Sequence, residues 1–290
     1  MSQKIRVSEV FFSLQGEGVY QGVPSLFLRT FGCNFRCKKF GMEKSAVVTG
    51  NNPEVQAVID NLSSYSKLED LPLVHTGCDS YAAVYPEFKK LSPMLEIPQL
   101  VDRIEQLLPN RKFGSNVHLV ITGGEPLLGW QRVYPELLAE IYRRDMDLGH
   151  MTFETNGTQK LVPAFFDLLS NYGEVLETTF SISSKLPSSG EKWEDAILPD
   201  VIRTYRLATR NTQAYFKWVC SNPDDLEDVK RAVQVYNDAG IKLPVYLMPA
   251  GGTELLYHKN KQWLSKVCLA EGFRYSPRLH IDLFGNSWGT

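Results

Sequence analysis

Hydrophobic positions along this chain repeat with two periods. Runs rich in β-branched and aromatic residues, at 5–14 and 23–31, predict two strands joined by the glycine-rich turn QGEGVYQG. From residue 97 helical and extended periods alternate: a helix over 98–108, a strand over 117–122, a helix over 134–144 and a strand over 151–155. The series continues with a helix over 163–169, strands over 178–183 and 215–220, a helix over 223–239, and strands near Val245 and Leu279. Strands alternating with helices predict an α/β fold with a parallel sheet, because parallel neighbours need crossover connections, here covering one face. Periodicity alone does not choose between a partial barrel and a doubly wound sheet.

The pattern dissolves after Cys37. Residues 38–76 are polar, with Asn51-Asn52-Pro53 and three serines at 63, 64 and 66, and carry one weakly amphipathic stretch over 53–62. This segment reads as an excursion inserted into a single domain spanning 1–290. No internal repeat is present, and no linker after residue 97 is long enough to separate domains.

Composition narrows the class. With 43% hydrophobic and 22% charged residues the chain is an ordinary globular protein, and disordered or fibrous readings fall away. A net charge of −2 offers no footprint for nucleic acid or a membrane surface. No run approaches the roughly 20 apolar residues of a membrane span, and MSQKIRVSEVFF lacks the regions of a signal peptide, so a cytoplasmic location is expected. Five cysteines (33, 37, 78, 220, 268) are an odd and sparse set. A disulfide framework is not expected, and metal or catalytic use gains weight.

Candidate chemistry gathers at predicted strand ends. Cys33-Asn34-Phe35-Arg36-Cys37 closes an apolar strand; the pair is either a buried helical i, i+4 pair or a set of soft thiolates for an iron–sulfur cluster. Ile121-Thr122-Gly123-Gly124-Glu125-Pro126 follows the next strand. It is either a tight turn or a place where backbone approaches a ligand beside a carboxylate. Glu154-Thr155-Asn156-Gly157-Thr158 and Ser181-Ile182-Ser183-Ser184-Lys185 repeat the arrangement, and polar clusters at successive C-terminal strand ends converge on one mouth of the sheet. Cys220 and Cys268, on a predicted strand and helix among apolar neighbours, read as core residues. His280 alternates with apolar residues and reads either as a core histidine or as part of a pocket.

Taken together these motifs resemble the radical S-adenosylmethionine (SAM) superfamily, and within it the 7-carboxy-7-deazaguanine synthase family of queuosine and deazapurine biosynthesis. The resemblance covers nearly the whole chain outside 38–77. Phe12-Ser13-Leu14-Gln15-Gly16-Glu17-Gly18, then Gly22, Pro24 and Phe27-Leu28-Arg29, is similar to the stretch that opens this family. Leu247-Met248-Pro249, Ser276-Pro277-Arg278-Leu279-His280-Ile281 and Phe284-Gly285-Asn286 fit it as well. One departure stands out: the family pattern is C-x3-C-x2-C followed by Asp-Thr, yet Phe40 occupies the third cysteine's place. Cys78-Asp79-Ser80 resembles the missing end, which makes Lys38 to Gly77 an insertion that loops out and returns. Closure entropy rises only logarithmically with loop length, so such an excursion is tolerable. The departure leaves a catalytically silent scaffold as the competing reading; a different radical SAM substrate would leave QGEG and Arg29 unexplained.

The resemblance implies an incomplete TIM-type barrel and a carbon–nitrogen lyase. Cys33, Cys37 and Cys78 would hold a [4Fe–4S] cluster whose open iron takes SAM. A 5′-deoxyadenosyl radical would then remove hydrogen from C6 of 6-carboxy-5,6,7,8-tetrahydropterin, and ring contraction with loss of ammonia would give 7-carboxy-7-deazaguanine. Gly124, Glu125, Thr155, Asn156, Ser183 and Lys185 match the SAM-binding positions, and Ser183-Ser184-Lys185 departs from the usual Ser-Pro-Lys in a way expected to loosen the turn. Leu14, Gln15, Gly16, Arg29, Thr122 and His280 match the pterin side, where a guanidinium suits the substrate carboxylate. Ser80 stands where a threonine holds Mg2+. A reductant such as flavodoxin or ferredoxin and a homodimer also follow from the resemblance.

Overall fold

The computed structural model describes residues 2–43, 45–208, 211–251 and 254–290. Strands β1 (Lys4–Leu14) and β2 (Pro24–Thr30) pair antiparallel, with Phe11 opposite Phe27 and Leu14 opposite Pro24. Helix α1 (Pro53–Asp60) lies in the excursion, and β3 (Met94–Glu96) returns to pair with the start of β1. The alternating part follows as α2 (Ile97–Leu107), β4 (His118–Gly123), α3 (Tyr134–Arg143), β5 (His150–Thr155), α4 (Pro163–Tyr172) and β6 (Glu177–Ile182). Then come α5 (Trp193–Ala196), α6 (Pro199–Leu207), β7 (Thr212–Val219), α7 (Pro223–Asp238), β8 (Val245–Met248), α8 (Glu254–Glu271), β9 (Arg274–Tyr275) and α9 (Leu279–Phe284).

Local chemistry sets these boundaries. Asn222 caps α7 by accepting the Asp225 N–H, and Pro223 occupies the first turn, where its missing N–H costs nothing. Leu226, Val229, Ala232 and Tyr236 then bury one stripe of that helix. In α2 a reciprocal Glu96–Gln99 capping box starts the helix, and Ile97, Leu100, Val101 and Ile104 face the sheet.

Among the described residues the nine strands form one sheet in the order β3-β1-β2-β4-β5-β6-β7-β8-β9. Every pair from β2 to β9 is parallel. The two edges, β3 and β9, do not pair, so the barrel is incomplete. Its curvature shows in the side chains. Glu17, in the loop between β1 and β2, touches Lys217 of β7 at 2.8 Å, although four strand spacings, about 19 Å if flat, separate β2 from β7. Phe216 and Trp218 pack into the core under the helices, whereas Tyr215 and Lys217 lie outside that core on the other face of the strand.

Two expectations change. The region around Leu279 is helix α9, not a strand, and the last strand is Arg274–Tyr275 just before it. A short mixed run such as LHIDLF has no decisive period, and here only Ile281 is buried before Gly285 ends the turn in a left-handed conformation. Helices α5 and α6 fill the interval between β6 and β7 that the periodicity had left without elements.

The excursion is compact. Val55, Val58, Leu68, Leu71 and Val74 form a small core with Tyr81, Tyr85 and Phe88 from the segment that follows it. Phe40 and Gly77 meet at its neck, where the Gly77 N–H donates to the Phe40 carbonyl at 2.8 Å.

Candidate active site

The C-terminal ends of the parallel strands carry two adjoining cavities. The larger, about 570 Å³, is lined by Gly123, Gly124, Thr155, Asn156, Ser183 and Lys185 on the strand-end side and by Lys39–Glu43 and His75 of the excursion. The smaller, about 180 Å³, is lined by Leu14, Gln15, Gly16, Arg29, Ser80, His280 and the C-terminal residues 286–290. Phe11 and Phe27, stacked at 4.8 Å with their rings within 6° of parallel, also line it. Glu17, Asp79, Thr122, Glu154, Lys217 and Arg278 line both, so the two cavities meet there.

Cys33 follows β2, and the register Thr30↔Gly123 sets it beside the Gly123-Gly124 turn. A Cβ on Gly124 would lie 2.5 Å from the Gly32 carbonyl and 2.7 Å from Cys33 Cβ, which is why that position has no side chain. The loop to Cys37 is held by Glu191, whose carboxylate accepts from the Arg36 and Cys37 N–H groups at 2.9 and 2.7 Å. Cys33, Cys37, Cys78 and Phe40 pack around Phe35 and Ala196. Burial pushes the Cys33 thiol up to about 11 and the Cys78 thiol up to about 12, and it raises Cys37 as well; Lys185 acts the other way on all three. Metal binding at such thiols releases their protons. Among the described residues no three His, Cys, Asp or Glu side chains are arranged to hold a single metal ion. Cys220 and Cys268 sit in the main core.

Glu125 is wholly buried behind the glycine turn. Its carboxylate accepts from Leu127 N–H (3.0 Å), Thr155 Oγ1 (2.8 Å) and Asn156 N–H (2.7 Å). It therefore ties the β4 turn to the end of β5; burial raises its pKa, opposed by these hydrogen bonds and by Lys185. Asn156 Nδ2 reaches toward Cys33 Sγ at 3.9 Å and donates to Asn34 at 3.0 Å. The turn Ser183-Ser184-Lys185 is not loose. Ser184 is buried, its hydroxyl shares a 2.8 Å hydrogen bond with Tyr236 Oη, and its backbone carbonyl accepts Trp218 Nε1 at 2.9 Å, so the serine hydroxyl adds one tie that a proline lacks.

On the other side, Arg29 donates to Glu9 at 2.6 Å and to Ser80 Oγ at 2.9 Å. Gln15 donates to Glu154 at 3.1 Å. Gly16 lies directly against His280, whose Nδ1 would sit 2.1 Å from an added Cβ. Burial, reinforced by the Arg278 cation, lowers the His280 pKa to about 4, so its ring is neutral at physiological pH. Trp288 Nε1 donates to the Leu71 carbonyl at 2.8 Å and Gly289 N–H to Glu9 at 3.0 Å, which seats the tail between the excursion and β1.

At the junction of the cavities the sequence reading met Glu17, Asp79, Glu154 and Arg278 only inside motifs, gave them no role of their own, and passed over Lys217. Lys217 donates to Glu17 at 2.8 Å and to Glu154 at 2.7 Å, with its side chain 5% exposed. Arg278 donates to Glu17 at 2.9 Å and Asp79 at 2.7 Å. Despite desolvation, these two cations hold Glu17 well below the usual carboxylate range, and Glu154 and Glu17 raise Lys217 far above the usual lysine value. Glu17 and Lys217 are both charged at neutral pH. A signal was present: a lysine inside the apolar strand AYFKWVC cannot be buried without an anionic partner.

No protein-family model matches the chain. It is 30% identical to a 7-carboxy-7-deazaguanine synthase of Methanopyrus kandleri over 277 residues, 95% of this chain and 92% of that one. It is 28% identical to the synthase of the same name from Pyrobaculum aerophilum over 291 residues, covering 99% and 97% of the two chains. The crystal structure of QueE from Escherichia coli superposes with a TM-score of 0.53 at 19% identity, covering 96% of this chain and 95% of that one, and so shares the fold. Identity at this level along almost the entire length of both sequences settles the family: the chain belongs to the 7-carboxy-7-deazaguanine synthases.

Proposed function

We propose that this chain converts 6-carboxy-5,6,7,8-tetrahydropterin to 7-carboxy-7-deazaguanine with loss of ammonia, as one catalytic domain carrying residues 38–77 as an insertion. Cys33, Cys37 and Cys78 would hold the cluster, and SAM would occupy the larger cavity. The observation that carries this reading is the packing of Cys78 beside Cys33 and Cys37, made possible by an excursion whose ends are joined by the Phe40–Gly77 hydrogen bond. Three soft donors packed together, Cys37 buried and Cys33 and Cys78 half-buried, suit an iron–sulfur cluster.

When bound, the cluster and SAM supply a carbon radical that takes hydrogen from the substrate. The chain supplies placement. The Gly123-Gly124 backbone, Thr155, Asn156, Ser183 and Lys185 face the larger cavity, with Glu125 fixing the turn from behind. Leu14, Gln15, Gly16, Arg29, Thr122 and His280 enclose the smaller one over the Phe11–Phe27 floor, a flat surface suited to a fused heterocycle. Magnesium would be held through Ser80, which offers one oxygen already engaged by Arg29, while Asp79 is paired with Arg278. The chain alone therefore makes no complete cation site, and further ligands would come from the substrate carboxylate and water. A one-electron reductant such as flavodoxin or ferredoxin, a homodimer and a cytoplasmic location come with the family reading. No helix among the described residues is long and apolar enough to cross a membrane.

Anaerobic turnover of carboxytetrahydropterin with SAM and a reductant, read by product mass, tests the function. The expected product has lost ammonia; recovery of unchanged pterin alongside SAM cleavage points to another substrate. Arg29→Ala is expected to raise the KM for the pterin about 10- to 100-fold, the loss of a charge-assisted hydrogen bond. Cluster absorption and slow uncoupled SAM cleavage should be retained, and equal substrate affinity in the two proteins would remove Arg29 from the site.

A further inference from the structure

Two buried tyrosines follow Cys78, and only one of them has spent its hydroxyl. The chain coils after the cysteine: the Tyr81 N–H donates to the Cys78 carbonyl at 3.1 Å and the Tyr85 N–H to the Tyr81 carbonyl at 3.0 Å. This coiling keeps both rings in the small core against which Cys78 packs. Tyr81 Oη donates to the Pro72 carbonyl at 2.6 Å. Tyr85 is 1% exposed, and among the described residues its hydroxyl completes no hydrogen bond. We propose that the Tyr85 hydroxyl donates to a sulfur of the iron–sulfur cluster on the Cys78 side, and that this bond tunes how readily the cluster accepts an electron. This rests on the reading of Cys33, Cys37 and Cys78 as the cluster's ligands.

The ring is fixed against the cysteine loop. Arg36, between Cys33 and Cys37, holds its guanidinium carbon 5.2 Å from the centre of the Tyr85 ring and donates to the Val84 carbonyl at 3.3 Å, so one side chain joins loop and ring. Cys33 and Cys78 both pack against the core to which Tyr85 belongs. Among the ionisable groups that act on the phenol the Cys78 thiol leads, followed by Arg36 and Cys37. The Asn52 backbone N–H acts on it as well, but as a donor, which leaves the phenol's own proton without an acceptor.

The chemistry of the place selects that acceptor. A phenol keeps its proton at neutral pH and donates it well. Leaving such a donor buried and unpaired is costly, and no carbonyl or carboxylate is placed to receive it among the described residues. The thiolates and sulfides of a cluster are the acceptors that three neighbouring cysteines would bring. A donor bonded to sulfur stabilises the more negative, reduced cluster over the oxidised one and so raises its reduction potential. Tyr85 lines neither cavity, so this positioning role is separable from binding of SAM or pterin.

A redox titration of the anaerobically reconstituted protein without SAM or pterin, followed by the electron paramagnetic resonance of the reduced cluster, tests the assignment apart from turnover. Tyr85→Phe keeps the ring under Arg36 and removes only the hydroxyl. It should take up the cluster and shift the reduction equilibrium about tenfold toward the oxidised form, about 59 mV for one electron. Deuterium gives a second signature: the iron–sulfur stretching bands of the wild type should move on transfer to D2O, and those of Tyr85→Phe should move less. Tyr85→Met also lacks the donor, should shift the potential in the same direction, and serves where the phenylalanine variant does not fold. An unchanged potential in a cluster-loaded variant, or a deuterium shift equal to that of the wild type, overturns the proposal. Wild-type protein that takes up no cluster overturns the ligand reading beneath it, and with it the role of Tyr85.

Discussion

Cys78→Ala is expected to abolish the four-iron absorption after anaerobic reconstitution and, with it, all SAM cleavage. Cys33→Ala and Cys37→Ala should match it if the three thiolates share one cluster as proposed, since none of the other cysteines is near: Cys220 and Cys268 belong to the main core. Cys220→Ala and Cys268→Ala should keep both signals and lose only some packing. Phe40→Cys in the Cys78→Ala background is the stricter test. The Phe40 carbonyl accepts the Gly77 N–H, so residue 40 lies next to the position from which Cys78 projects, and partial recovery of the absorption is expected. A Cys78→Ala protein that still binds four irons and cleaves SAM would place the third ligand elsewhere and would withdraw Ser80 from its alignment with the magnesium position.

Lys217→Met is expected to be the most damaging substitution outside the cysteines. It leaves Glu17 and Glu154 facing each other in a buried site, with only Arg278 compensating Glu17. Removing one partner from a buried ionic network costs about 3–5 kcal/mol, which for a chain of this size lowers the melting temperature by roughly 5–8 °C. The pH dependence gives a signature that lost packing lacks. Without the cation, the two carboxylates share a proton and their folded-state pKa rises above the unfolded value. The folded state then binds more protons than the unfolded state, so the variant's stability falls as pH rises through that window and returns in part on acidification toward pH 5. Wild-type Glu17 is expected to contribute with the opposite sign, because Lys217 and Arg278 hold it below its ordinary value. At the junction of the two cavities, the loss should also raise the ratio of SAM cleaved to product formed. Lys217→Arg, which keeps the charge, should recover part of both. Wild-type stability with an unchanged pH profile in Lys217→Met would mean that the carboxylates find another partner.

Apart from α5 and α6, the elements from β4 to α7 could be read from the chain because each buries one face against the same core. A strand packed under helices keeps a period of two or a continuous apolar run, and its helix keeps a stripe, whatever the rest of the molecule does. The motifs at strand ends were legible for a related reason: parallel strands deliver their C-terminal loops to one side, so Gly124, Asn156 and Lys185 reach a common mouth. Region 279–284 was not legible as a helix, since one buried residue in a six-residue turn leaves no period. Helices α5 and α6 escaped because α5 has a single turn and α6 buries only Val201, Ile202 and Tyr205.

By itself, then, the sequence determined the α/β order and the family motifs, which depend on residues close together in the chain. Tertiary structure alone decided the rest. The excursion's core draws Val55 and Leu71 to Tyr81 and Phe88, a contact set too sparse in sequence to show a period. Lys217 meets Glu17 and Glu154 only because the sheet curls and brings β7 opposite the β1–β2 loop. Such a network has no local signature beyond a lysine in an apolar strand. The partners that make its burial tolerable are chosen by strand order and curvature, and those follow from how the whole sheet packs.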